Sequence, residues 1–137
     1  IGSLKIRRLV ARVESPILLS PLTVLECFGI AVKRHRQRQF RTGQVKQMFK
    51  HFQKDVGDSL KTRPFALVPW PAEVFKIAEN ILLQHGGTFD IGPNDALHLA
   101  IVKQLPLTPS PILVTSDRSM QHIGGRLGIG IYDPETE

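Results

Sequence analysis

Three carboxylates occupy positions where a folded chain can do chemistry. Glu26 falls in what reads as the first turn of a helix, after the short apolar run Ile17–Ser20. Asp95 falls in the first turn of a helix that opens near Pro93, and Asp117 directly follows the apolar run Ile112–Thr115. Each has a plain structural use. Thr23-Val24-Leu25-Glu26 matches a capping box, whose glutamate serves a helix N-terminus. A negative charge near a helix start gains about 0.3–1 kcal/mol from the dipole, which accounts for Asp95. As an N-cap, Asp117 is worth about 1 kcal/mol over alanine. As a set they read differently. In a doubly wound sheet, ligands bind beyond the carboxyl ends of the strands. Glu26 and Asp117 both come from strand-to-helix transitions, and Asp95 joins them if its helix start points the same way. Crowded carboxylates repel one another, and hard divalent cations such as Mg²⁺ or Mn²⁺ relieve that repulsion. Such a cluster can activate a water, position a phosphate and stabilise the leaving oxygen in phosphodiester hydrolysis.

The elements that must position these acids follow from periodicity. Residues 3–14 read as an amphipathic helix, with Leu4, Ile6, Leu9, Val10 and Val13 on its apolar stripe. Ile17-Leu18-Leu19-Ser20 is too short for a helix and reads as a buried strand. The Thr23 capping box then opens a helix to about Gln39. Val45, Met48, Phe49, Phe52 and Val56 recur at helical spacing over 42–55. Phe65–Val68 is a second strand, and Pro71 suits the first turn of a helix that Gly86-Gly87 stops near Gln84. A helix spans about 94–103, a strand Ile112–Thr115, and a short helix begins near Arg118. Gly124-Gly125 reads as its stop, and a last strand lies around Ile129–Tyr132. Short, continuously apolar strands between helices predict an α/β domain with a mostly parallel sheet covered on both faces. No repeat, low-complexity stretch or boundary divides residues 1–137, so one domain is expected.

Composition narrows the partners. With 137 residues, 42% of them hydrophobic, the chain is long enough to bury a core. No apolar run nears the roughly 20 residues of a membrane span. The single cysteine, Cys27, cannot form an internal disulfide, which fits a reducing compartment and a cytoplasmic location; it reads as a buried structural thiol. The net charge is +6, and Lys33, Arg34, Arg36, Arg38, Arg41, Lys46, Lys50 and Lys54 follow one another with no acid between them. That block is either a solvated helix face or a phosphate-binding surface. Phe40, Phe49 and Phe52 within it fall mostly at core spacing, which favours packing over base stacking.

The motifs around the acids resemble a known family. Ser20-Pro21-Leu22-Thr23-Val24-Leu25-Glu26 looks like the PIN-domain segment in which a strand ends in serine or threonine and the next helix carries an acidic ligand. Asp95-Ala96-Leu97-His98-Leu99-Ala100 is similar to its "DalhlA" motif, and Leu113-Val114-Thr115-Ser116-Asp117 to its "lvTsD" motif. Gly128-Ile129 resembles its glycine-led final strand. Order and spacing over residues 17–132 also resemble the toxin halves of bacterial VapBC toxin–antitoxin pairs. The resemblance implies a three-layer α/β/α fold and a metal-dependent endoribonuclease, usually a homodimer, neutralised by a cognate antitoxin. Glu26, Asp95 and Asp117 would hold Mg²⁺ or Mn²⁺, and Thr115 or Ser116 would hydrogen-bond a ligand or water there. Arg34, Arg36, Arg38 and Arg118 would hold the RNA backbone. PIN domains normally begin with a strand ending in a further aspartate. Here no acid precedes Glu14 and Leu4–Val13 reads as a helix, so the usual first strand is expected to be absent from these residues.

Two rival readings remain. A PIN-like module without activity would grip nucleic acid or protein through its basic helices. A phosphoryl-accepting receiver also uses carboxylates at strand ends, but needs a lysine after a late strand, where this chain has Ser116 and Asp117. The histidines show no zinc spacing, and Ser116 has no adjacent base in sequence.

Overall fold

A computed structural model describes residues 2–12, 14–57 and 64–136. The protein is a mixed α/β chain whose strands pair in parallel: α1 (Gly2–Arg12), β1 (Ile17–Leu19), α2 (Pro21–Arg36), α3 (Thr42–Asp55), β2 (Val56–Gly57), β3 (Phe65–Leu67), α4 (Val74–His85), α5 (Pro93–Gln104), β4 (Ile112–Val114), α6 (Arg118–Arg126) and β5 (Gly130–Tyr132). Among the described residues no helix is long and apolar enough to cross a membrane. The first described element is the expected helix, and β1 follows it.

The chain divides into two compact groups, Val10–Pro69 and Ile1–Leu9 with Trp70–Glu137. In the former, β3 is central in the order β1-β3-β2, with Ile17 opposite Phe65 and Leu19 opposite Leu67. The short β2, not anticipated from its two residues, extends directly from α3. The buried core here is Ala31, Val45, Ala66 and Val68, and a chain of half-buried aromatic rings links α2, α3 and β3. Phe28 of α2 stacks on Phe49 of α3 at 4.1 Å and meets Phe52 edge-on at 5.7 Å, and Phe52 lies 6.2 Å from Phe65 of β3. Such pairs add roughly 0.5–1.5 kcal/mol each to their area burial. Phe49 and Phe52 therefore pack, as their spacing predicted.

In the other group, α4 packs along α5, and α6 packs on α5 and β5. Val74, Ala78 and Ile81 bury one face of α4; Ala96, Leu99, Ala100 and Ile101 serve α5, and Met120 and Ile123 serve α6. The spacings of three and four residues in α4 and α6 are the periodicity of a buried helix face, whereas the consecutive Leu99, Ala100 and Ile101 show α5 buried on more than one face. Strands β4 and β5 run parallel, with Ile112 opposite Gly130 and Val114 opposite Tyr132. Ile112, Val114 and Tyr132 of this pair are exposed, and the helices and parallel strands together are consistent with the expected α/β/α fold of a PIN domain.

Other boundaries shift for identifiable reasons. The cap of α2 is Ser20, not Thr23: the Ser20 hydroxyl accepts from the Thr23 N–H at 3.0 Å and Pro21 occupies the first helical position. The helix ends at Arg36, where Arg38 adopts φ 58° and the Gln37, Arg38 and Gln39 N–H groups close back on its last turn. Helix α4 begins at Val74, three residues beyond Pro71. Gly124-Gly125 does not stop α6, which runs to Arg126; Gly128, at φ 74°, turns the chain instead. A side chain at Gly124 would meet Ile131 Cδ1 at 2.7 Å and Leu99 Cδ2 at 3.6 Å. Close packing of α6, not helix termination, is the use of that glycine.

Candidate functional site

Glu26 belongs to the group around the three-stranded sheet; Asp95 and Asp117 belong to the other. Because Ser20 opens α2 earlier than the capping box implied, Glu26 lies beyond the first turn and is half-buried. The carboxylate raises the pKa of the neighbouring Cys27 thiol, after partial desolvation as the larger cause. Cys27 itself is exposed on α2, not buried as its residue type suggested.

Asp95 is the third residue of α5, as expected. Its Oδ2 accepts from the Gly92 N–H at 2.8 Å, which satisfies a donor just ahead of the helix and places negative charge at the positive end of its dipole. Asp117 is the N-cap of α6. Its Oδ1 accepts from the Met120 N–H at 2.8 Å, and its own N–H donates to Thr115 Oγ1 at 3.1 Å. The structural uses foreseen for both aspartates are therefore real. Each commits one oxygen to a backbone N–H, and a carboxylate accepts at either oxygen. Hard oxygen donors of this kind suit Mg²⁺ or Mn²⁺. Among the described residues, however, no group of three or more histidine, cysteine, aspartate or glutamate side chains is placed to hold a metal ion.

The hydroxyls of the turn are engaged locally. Thr115 Oγ1 points its hydrogen at Met120 Sδ, 3.9 Å away, and the Ser116 hydroxyl donates to Asp133 Oδ1 at 2.8 Å. Asp133, immediately after β5, was missed in the sequence, as was Gln121. It had a signal: it follows directly on an apolar strand, much as Asp117 comes shortly after β4. The Glu135 backbone N–H, the Gln121 amide and the Ser116 hydroxyl hold its carboxyl below the usual carboxylate range.

The basic block divides between the end of α2 and α3, and Lys33, Arg34, Arg36, Arg38, Arg41, Lys46, Lys50 and Lys54 are all exposed. Arg34 lies over the Phe40 ring at 5.9 Å, and His35 Nδ1 is 2.8 Å from the Phe40 carbonyl oxygen, which orders the turn between the two helices. Arg118, the first residue of α6, is exposed beside Asp117.

Parallel strands that end in acid-bearing turns and helices define a class of α/β protein built for ligands at strand ends. A model of the PIN domain matches residues 1–126, and the chain belongs to the PIN-domain family. PIN domains are generally nucleases, hydrolases of phosphodiester bonds, and typically use divalent metals. A comparison with curated proteins gave no match.

Proposed function

We propose that this PIN domain is a metal-dependent endoribonuclease of the VapC type, the toxin of a toxin–antitoxin pair, working as a homodimer in the cytoplasm. The observation that carries the reading is Asp117, held exposed at the end of parallel strand β4 with one oxygen on the Met120 N–H. Asp95 at the start of α5, in the same group as Asp117, would share with it the holding of Mg²⁺ or Mn²⁺, which when bound supplies water activation and neutralises charge on the phosphate. Glu26 on α2 is assigned to metal binding by its sequence motif alone. Thr115 and Ser116 hold the turn around Asp117. Arg34, Arg36, Arg38 and Arg118 would grip the RNA backbone, since guanidinium pairs well with phosphate.

The test is cleavage of a mixed RNA pool with Mn²⁺, with and without EDTA, beside Asp117→Asn. Asparagine caps helices as well as aspartate does, so this variant keeps α6 while losing the charge. Cleavage abolished by EDTA and by the variant is expected; full activity in the variant would remove Asp117 from the mechanism. A second reading, an inactive PIN-like binding module, draws support from the absence of a three-ligand metal group among the described residues. Salt-sensitive RNA binding without cleavage by the wild type would favour it.

A further inference from the structure

Asp133 stands where three elements converge. Its Oδ1 accepts from the Ser116 hydroxyl and from the Glu135 N–H, both at 2.8 Å, and its Oδ2 accepts from the Gln121 side-chain amide at 2.8 Å. The same Gln121 nitrogen donates its other hydrogen to the Thr115 carbonyl at 3.0 Å. One side chain of α6 thus ties the end of β4 to the residue after β5. The Thr115 N–H also pairs with the Tyr132 carbonyl at 3.0 Å, so the two strands are still in register where the clamp closes. On the far side of the turn, the Asp117 N–H and carboxylate are held by Thr115 and Met120.

The Ser116, Glu135 and Gln121 donors engage most of the accepting sites of the Asp133 carboxylate. It is well suited to holding a turn, because it accepts at two points at once and hydrogen bonds to a charged acceptor are about twice as strong as neutral ones. We propose that Asp133 is a positioning residue for Asp117. Through Ser116 and Gln121 it fixes the Thr115–Asp117 turn, and so sets how tightly the Asp117 carboxylate is aimed at a phosphodiester. Such sites lose rate steeply when a reacting group is misplaced by as little as about 1 Å. The catalytic half of this inference rests on the nuclease reading above; the clamp does not.

Two variants test it. Asp133→Asn keeps the shape but places a nitrogen that cannot accept from one of its donors. Gln121→Met removes the bridging amide from the other side and serves if the first fails to fold. Amide hydrogen exchange is the first readout, with Leu99 and Ala100 of α5 as reference. Asp117 and Met120 should exchange roughly tenfold faster in either variant while the reference amides hold, as expected for losing a hydrogen bond to a charged group. Unchanged protection, or a loss shared equally by α5, would overturn a local clamp. RNA cleavage kinetics are the second readout. Here kcat should fall about tenfold with KM for RNA nearly constant. Lost protection with an unchanged kcat would overturn the positioning role. No cleavage by the wild type would instead remove the nuclease reading and the catalytic half with it, while exchange still decides the clamp.

Discussion

Asp117 and Asp133 each follow a parallel strand, yet their carboxylates are used differently. Asp117 is exposed and gives one oxygen to a helix N-terminus, whereas Asp133 gives both oxygens to neighbouring donors. The difference has a pH signature. Hydrogen bonds lower the folded-state pKa of Asp133, so in the acid range the unfolded chain binds more protons and stability rises with pH. The stability gap between wild type and Asp133→Ala, measured by denaturant titration, should be full near neutral pH and shrink as pH falls below about 4. A gap constant across that range would mean that the charge is not its source. Cys27 is raised by partial desolvation and by Glu26, so an exposed thiol is kept protonated and slow to react at neutral pH.

At the scale of elements, α6 is the piece whose sequence misleads most. Two adjacent glycines look like a terminus, but they do different things. A methyl at Gly124 would push aside the Ile131 side-chain end at 2.7 Å, while nothing lies within 4 Å of a side chain at Gly125. Alanine favours the helix at both positions by up to about 1 kcal/mol, but at Gly124 the crowding against Ile131 offsets that gain. A lower melting temperature for Gly124→Ala than for Gly125→Ala is the expected result, and equal shifts would show that α6 does not pack as described. Helix α2 teaches the converse lesson. Both Ser20 and Thr23 are good caps, and the fold selects Ser20 because it ends β1, beside the Leu19 carbonyl that pairs with the Val68 N–H.

At the scale of the whole molecule, the basic block and the aspartates of α5, the β4–α6 turn and the segment after β5 fall in different groups. The exposed basic block belongs to α2 and α3 and the turn between them, and Asp95, Asp117 and Asp133 belong to the other group. If the block holds RNA, affinity must fall as salt replaces released counterions. Changing Arg34, Arg36 and Arg38 together to glutamine should reduce the slope of log affinity against log salt by about 2, taking roughly 0.7 per phosphate on a single strand. An unaltered slope would show that these arginines do not meet phosphate. Arg38 carries an additional distinction: its φ of 58° is a conformation in which glycine is more comfortable.

Much of this protein was legible in one dimension. Apolar runs of three or four residues marked β1, β3, β4 and β5, and three–four spacing marked the helices, because burial imposes those periods on residue type directly. The aspartate motifs also fell where expected, at the first turn of α5 and the cap of α6, since helix starts select acids locally. Other features depended on what lies across space. The two residues of β2 have no pattern of their own and become a strand only by pairing with β3. Gly124 is explained by Ile131, Cys27 is exposed despite its type, and so are Ile112, Val114 and Tyr132 of β4 and β5. Asp133 gains its role only because β5 returns beside β4 and brings Ser116, Gln121 and Glu135 within hydrogen-bonding distance of one carboxylate. Periodicity and capping are properties of neighbours in the chain, whereas this clamp is a property of neighbours in space, and only the tertiary structure decides those.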